Sequence, residues 1–203
     1  MSSSDHRNIY IVGAQCTGKT TLVKALEEYY TTTQTQSNSW TRPVIVTEVA
    51  RSVLRRHAIP AADIRASPDR ALNLQRLILD AQVSAERQAL GRGTWFISDR
   101  SGIDPTCYAF TYAGREGVSL LLASEEWGLL KSRMKQAMIV VCEAGADWLY
   151  DDGVRLMPLD RDEWIRIHDV FCTLMDGLGL SYVVLPAKLT DLSARVGFVL
   201  SRH

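Results

Sequence analysis

The chain has 203 residues, 46% of them apolar, enough to bury one sizeable core as a single domain over residues 1–203. Lys plus Arg and Asp plus Glu stand at 23 each, so no net field recommends nucleic acid or an anionic membrane, and a polyanion must be gripped locally. No apolar run approaches the roughly 20 residues that span a bilayer, and Met1 to Asn8 carries no apolar stretch; a cytoplasmic protein is expected. Cys16, Cys107, Cys142 and Cys172 form no C-x-x-C pair, and His6, His57, His168 and His203 form no H-E-x-x-H, which argues against a disulfide scaffold or a zinc hydrolase.

The first element in chain order is a compact β-rich run, Asn8 to Val12. It leads into Gly13-Ala14-Gln15-Cys16-Thr17-Gly18-Lys19-Thr20 and a helix with Leu22, Val23, Leu26 and Tyr30 on one side. Thr31 to Thr41, rich in Thr, Ser, Gln and Asn, reads as a polar surface loop. Val44 to Thr47 is the second strand. Ser67 then caps a long helix from Pro68 to Leu90, with Leu74, Leu77, Ile78, Ala81 and Ala85 as its stripe and Gly91 ending it. Trp95 to Ser98, Met138 to Cys142 and Tyr182 to Leu185 supply three more short apolar strands. This alternation predicts an α/β fold, a three-layer αβα sandwich on a mostly parallel five-stranded sheet.

The segment after the first strand matches G-x-x-x-x-G-K-[ST], a loop whose glycines let backbone N–H groups turn inward around phosphates at a helix N-terminus. ATP with Mg²⁺ is the expected ligand of Gly13, Ala14, Gln15, Cys16, Thr17, Gly18, Lys19, Thr20 and Thr21. Lys19 would neutralise the β- and γ-phosphates, and Thr20 would hold the metal. Ligands of open α/β sheets sit at the carboxyl ends of the strands. There the second strand ends in Glu48, with Arg51 behind it, and the third ends in Asp99-Arg100-Ser101. A kinase needs one carboxylate for the metal and one to accept the hydroxyl proton, with arginine to offset phosphoryl charge. Asp99 is the candidate metal ligand beside Thr20, Glu48 the candidate base, and the two roles are exchangeable. The bland alternatives are that Glu48 caps a helix and that Asp99 and Arg100 pair structurally.

These segments, with Asp151-Asp152-Gly153-Val154-Arg155, resemble the P-loop kinase-like family of AAA-domain type that contains the ribosylnicotinamide kinase domain of the bacterial NAD-biosynthesis regulator. The likeness runs from Ile9 to about Leu192, and fungal members that the chain looks like are described only as ATPases or kinases. Asp-Arg-Ser also looks like the Glu-Arg-Ser of deoxynucleoside kinases and the Asp-Arg of thymidylate kinases. The family implies ATP-dependent phosphoryl transfer to a small acceptor beneath a mobile arginine-bearing lid. Residues 144–158, with Gly145 and Gly153 as hinges, are the lid candidate and Arg155 its catalytic arginine; Arg161 and Arg166 are weaker choices. Cys16 departs from the commoner Ser or Gly.

Gln75 falls where related nucleoside kinases read the acceptor base, against the bland reading of a solvent-facing glutamine. Pro186-Ala187-Lys188 resembles the place where such kinases meet adenine. Trp127, Trp148 and Trp164 read as core. The function expected is an ATP-dependent small-molecule kinase acting on a nucleoside-like or other hydroxyl acceptor. The alternative is an ATPase or nucleotide-dependent switch acting on a protein; no Asn-Lys-x-Asp element supports a guanine switch. The expected partners are ATP and the acceptor, not nucleic acid or a membrane, with a homodimer left open.

Overall fold

A computed structural model of the protein describes residues 6–36, 42–59, 61–146 and 158–203. Five strands, β1 (Ile9–Val12), β2 (Val44–Val46), β3 (Phe96–Asp99), β4 (Met138–Cys142) and β5 (Val183–Leu185), form one sheet in the order β2-β3-β1-β4-β5. Every pairing is parallel, so the sheet expected to be mostly parallel is wholly so. β1 lies at its centre, with Ile9 opposite both Ile97 of β3 and Met138 of β4. All four β1 residues are fully buried, which explains why the strand reads as a continuous apolar run rather than an alternation.

Alternate side chains of β1 feed two different cores. Tyr10 and Val12 pack with residues of α4 (Pro68–Arg92), α5 (Ile103–Leu122), α6 (Glu125–Lys135) and α7 (Arg161–Leu178), among them Leu79, Cys107, Leu130, Trp164 and Phe171. Ile9 and Ile11 pack with Leu22, Leu26 and Tyr30 of α1 (Lys19–Gln36) and Val199 of α8 (Leu192–Leu200) on the other face. The result is the expected three layers. A smaller cluster of Val53, Ile64, Ala71, Leu74 and Ile78 joins α2 (Val49–His57) and α3 (Ala61–Ala66) to α4 beyond the sheet edge.

The long helix keeps its predicted start, since the Ser67 hydroxyl accepts from the Arg70 N–H at 3.3 Å and Pro68 occupies the first turn. It ends slightly later, capped by Gly93 rather than Gly91. The polar loop expected over Thr31 to Thr41 is helical as far as Gln36, where α1 ends, and residues 37–41 lie outside the described residues. Tyr30, only 4% exposed, anchors that turn with its ring 5.0 Å from Trp95, and the Thr32 hydroxyl donates to the Glu28 carbonyl at 2.9 Å. Among the described residues no helix is long and apolar enough to cross a membrane, and no three His, Cys, Asp or Glu side chains gather as a metal cluster.

Candidate active site

The loop between β1 and α1 is held in a conformation that only particular residues tolerate. Gly13 has φ +129°, and a Cβ there would lie 2.6 Å from the carbonyl oxygen of Cys142 on β4. Gly18 has φ +78°, and Cys16, at φ 58°, takes the left-handed region without being glycine. Several loop carbonyls are bound by side chains of the protein. The Thr17 hydroxyl and Lys19 Nζ donate to Ala14 O, Trp164 Nε1 donates to Gln15 O at 2.7 Å, and an Arg195 guanidinium nitrogen donates to Thr17 O at 2.8 Å. Trp164 is thus core, as expected, yet it also anchors the loop. Arg195 on α8 lies 178 residues from Thr17 in the chain, so no local pattern in the sequence marks it as a loop ligand. Lys19 is 4% exposed, and burial together with the nearby Arg100 charge brings its ammonium down to about 8.

Facing the loop, the Thr20 hydroxyl donates to Asp99 Oδ2 at 2.5 Å, while Asp99 Oδ1 is buried with no hydrogen-bond partner. A buried carboxylate oxygen without a donor is costly unless a ligand completes it. This pair of oxygen donors suits a hard divalent cation such as Mg²⁺. Thr21 is exposed at the next position of the helix.

Glu48 and Arg100 meet although they leave different strands, because β2 and β3 are neighbours. Arg100 Nε donates to Glu48 Oε1 at 2.8 Å, and Arg51 Nε donates to Glu48 Oε2 at 2.8 Å. Arg100 also binds Asp104 Oδ1 at 3.1 Å, so its partners are Glu48 and Asp104 rather than the Asp99 of the bland reading. Glu48 does stand at the N-cap of α2, but its side chain makes no cap hydrogen bond. Burial penalises the Arg100 charge, yet Glu48, Tyr108, Asp104 and Asp99 outweigh that penalty and keep the guanidinium charged. Arg100 is a non-glycine residue at φ 81°, and its N–H donates to Ile11 O at 2.9 Å, so the strained turn is tied directly to β1. Asp104, inside the first turn of α5, carries no motif that marks it in the sequence; burial pushes its carboxyl up to about 6, against the pull of Arg100 and Lys19.

Between these groups and α4 opens a cleft of about 640 Å³ including its mouth. Glu48, Arg100, Ser101 and Asp104 line one side, Val49, Ala50, Leu54, Ile64, Leu74 and Ile78 another. Gln75 is 4% exposed, lines this cleft, and makes no hydrogen bond among the described residues, so it is not the solvent-facing glutamine of the bland reading. Tyr108 donates its hydroxyl to Gln15 Oε1 at 2.6 Å, joining the cleft to the phosphate loop.

A second, open cleft lies at the ends of β4 and β5, where Pro186, Ala187 and Lys188 face Glu143, Gly145, Arg161 and His168. The Ala187 N–H donates to Glu143 at 2.7 Å. Arg161 donates to the Gly145 carbonyl at 2.6 Å, and Gly145 sits at φ +98°. Arg155, Gly153, Trp148 and most of the lid candidate lie outside the described residues.

A G-x-x-x-x-G-K-[ST] loop at the end of a central parallel strand, with carboxylates at two neighbouring strand ends, is the arrangement of the P-loop NTPase fold in its kinase-like form. The chain belongs to the AAA domain family, whose model matches residues 8–195. Its fold is shared with structures described as NadR protein in complex with NR, at TM-score 0.67 and 19% identity over 97% of this chain. A second, NadR protein in complex with NAD and AMP-PNP, gives a TM-score of 0.63 at 16% identity over 98% of this chain. The chain spans about half the length of these neighbours, 50% and 49%. No curated protein matches it.

Proposed function

We propose that the protein is an ATP-dependent kinase that transfers a γ-phosphoryl group to a hydroxyl of a small, nucleoside-like acceptor, with residues 1–203 acting as one domain. The observation that carries this reading is the apolar-walled cleft beside the phosphate loop, bordered by Glu48 and Arg100 on one side and by Leu54, Ile64, Leu74 and Ile78 on another. An ATPase or switch working on a protein partner has no need of such a cleft. The NadR structures, bound to NR or to NAD and AMP-PNP, support the same choice by their ligands.

In this mechanism Lys19 leaves the Ala14 carbonyl and Thr17 hydroxyl for the β- and γ-phosphates. Its buried ammonium, whose charge is penalised by burial and by Arg100, gains most from that exchange. Mg²⁺ held by Thr20 and Asp99 would supply neutralisation of the phosphate oxygens. Glu48, oriented by Arg100 and Arg51 on its two oxygens, takes up the proton of the attacking hydroxyl, and Arg100 adds positive charge near the transferred group. Arg155 would join from the lid. Pro186 to Lys188 would border the adenine.

The test is a screen of nucleosides, nucleotides and vitamins for ADP release above the acceptor-free background, with Lys19→Ala as control. ADP release that no acceptor stimulates would replace the kinase by an ATPase.

A further inference from the structure

Behind the cleft, on the α4 face of the sheet, lies a buried polar network that the phosphoryl transfer does not use. Glu86 is 0% exposed, Gln82 1% and Ser98 0%. Two donors, the Tyr10 hydroxyl at 2.9 Å and the Arg133 guanidinium at 3.1 Å, both meet Glu86 Oε2. Glu86 Oε1 accepts from Gln82 Nε2 at 3.0 Å, and the other hydrogen of the same NH₂ group goes to Ser98 Oγ at 3.1 Å. Gln82 lines the cleft, and with both its amide hydrogens committed, the polar atom left to it is the carbonyl Oε1, which has no hydrogen bond among the described residues.

We propose that Glu86 is a positioning residue that locks the Gln82 amide with its carbonyl toward the cleft, so that the site selects an acceptor whose buried head group brings a hydrogen-bond donor. The logic is one of polarity. The Ser98 hydroxyl donates or accepts equally well and imposes no orientation. A carboxylate held by Arg133 accepts only, and therefore demands the NH₂ of Gln82. Lys19 is absent from the lining of the cleft, and Arg100 already pairs with Glu48 and Asp104, so a neutral donor is what the Gln82 carbonyl accommodates, while Glu48 is left to the reacting hydroxyl. The inference rests on the acceptor-cleft reading above.

Glu86→Gln makes a sharp prediction, because the Arg133 donor keeps the new carbonyl on its own side. The new NH₂ then points at Gln82, which must turn its carbonyl toward it and its NH₂ toward the cleft. The preference of the cleft should invert. Aniline, a donor, and acetophenone, an acceptor, are titrated against the isotope-labelled protein by NMR, which needs no turnover. The wild type should favour aniline, and the aniline-to-acetophenone affinity ratio should fall at least tenfold in Glu86→Gln, about one neutral hydrogen bond changed on each probe. Gln82→Met, which removes the carbonyl without touching Glu86, should bring the ratio toward unity if Glu86→Gln fails to fold. In the wild type, the Gln82 side-chain amide protons should also exchange with water far more slowly than those of an exposed glutamine. A ratio that stays within threefold in folded Glu86→Gln, fast amide exchange, or no binding of aniline in the cleft would overturn the proposal. Failure of the acceptor screen with the inversion observed would remove the kinase reading and leave Glu86 in place; success of the screen without the inversion would remove only Glu86.

Discussion

Gly13, Gly18 and Gly91 form a graded series whose order follows from what a methyl group meets at each. At Gly13 a Cβ would stand 2.6 Å from a backbone oxygen of β4, which cannot swing aside, and φ +129° is disfavoured for any L residue. Strain of about 1–3 kcal/mol adds to overpacking of about 1–3 kcal/mol, so Gly13→Ala should destabilise by about 4 kcal/mol. At roughly 2–4 °C per kcal/mol for a chain of this size, the melting temperature should fall by about 10 °C. At Gly18 the neighbour is the Arg195 guanidinium, 3.1 Å away and the end of a flexible side chain, so Gly18→Ala should lose only about 1–2 kcal/mol. Gly91, inside α4 with nothing within 4 Å, should gain about 0.5–1 kcal/mol as alanine. Scanning calorimetry with and without a non-hydrolysable ATP analogue reads both fold and loop. At a hundredfold excess over its dissociation constant the analogue should stabilise the parent by about 2.7 kcal/mol, and Gly13→Ala should lose that shift. A Gly13→Ala protein melting within 2 °C of the parent, or one with an unchanged ligand shift, would refute the account of the loop as pressed against Cys142.

Lys19→Ala should abolish turnover while the ligand-free protein stays folded, and Thr20→Ala should weaken the Mg²⁺ dependence; retained activity in both, measured by ADP release, would remove the phosphate-loop assignment. Glu48→Gln should lower kcat by about 10²–10⁴ with little change in ATP affinity, whereas Asp99→Asn should raise the Mg²⁺ requirement; an unchanged kcat in Glu48→Gln would transfer the base to Asp99. Arg155→Ala should cut kcat far more than it raises KM for ATP, and an untouched kcat would leave Arg100 or Arg51 as the catalytic arginine. His203 stacks on Trp95 at 5.3 Å and on His6 at 5.4 Å, and its Nδ1 meets the Tyr30 hydroxyl at 3.0 Å. Burial holds its pKa below 6.5, so the folded state binds fewer protons than the unfolded one. Its stabilising effect is then complete above pH 6.5 and lost as the pH falls below it. His203→Phe should flatten the drop in melting temperature between pH 7 and pH 5 relative to the parent, and parallel curves would disprove this.

Local chemistry carries far when residues adjacent in sequence also act together. The run from Gly13 to Thr20 was legible because a phosphate loop is a contiguous device whose glycines, lysine and hydroxyl sit at fixed spacing. The five strands were legible because burial on both faces leaves unbroken apolar runs such as Met138 to Cys142. Glu48, Asp99 and Arg100 could be nominated because parallel strands in an open sheet bring their carboxyl ends to one edge. The pairings themselves could not be. Only the order β2-β3-β1 sets Glu48 against Arg100 and Thr20 against Asp99, and only helix packing brings Arg195 and Trp164 to the loop carbonyls. The end of α1 is not legible locally because Tyr30 is anchored by Trp95, 65 residues later in the chain, and that anchor carries the helix through polar residues that would not hold it alone. Gln82 and Glu86 look like an ordinary polar pair one turn apart on a helix. Their meaning comes from Tyr10, Ser98 and Arg133, which three other elements deliver to a place where Glu86 and Gln82 are fully buried.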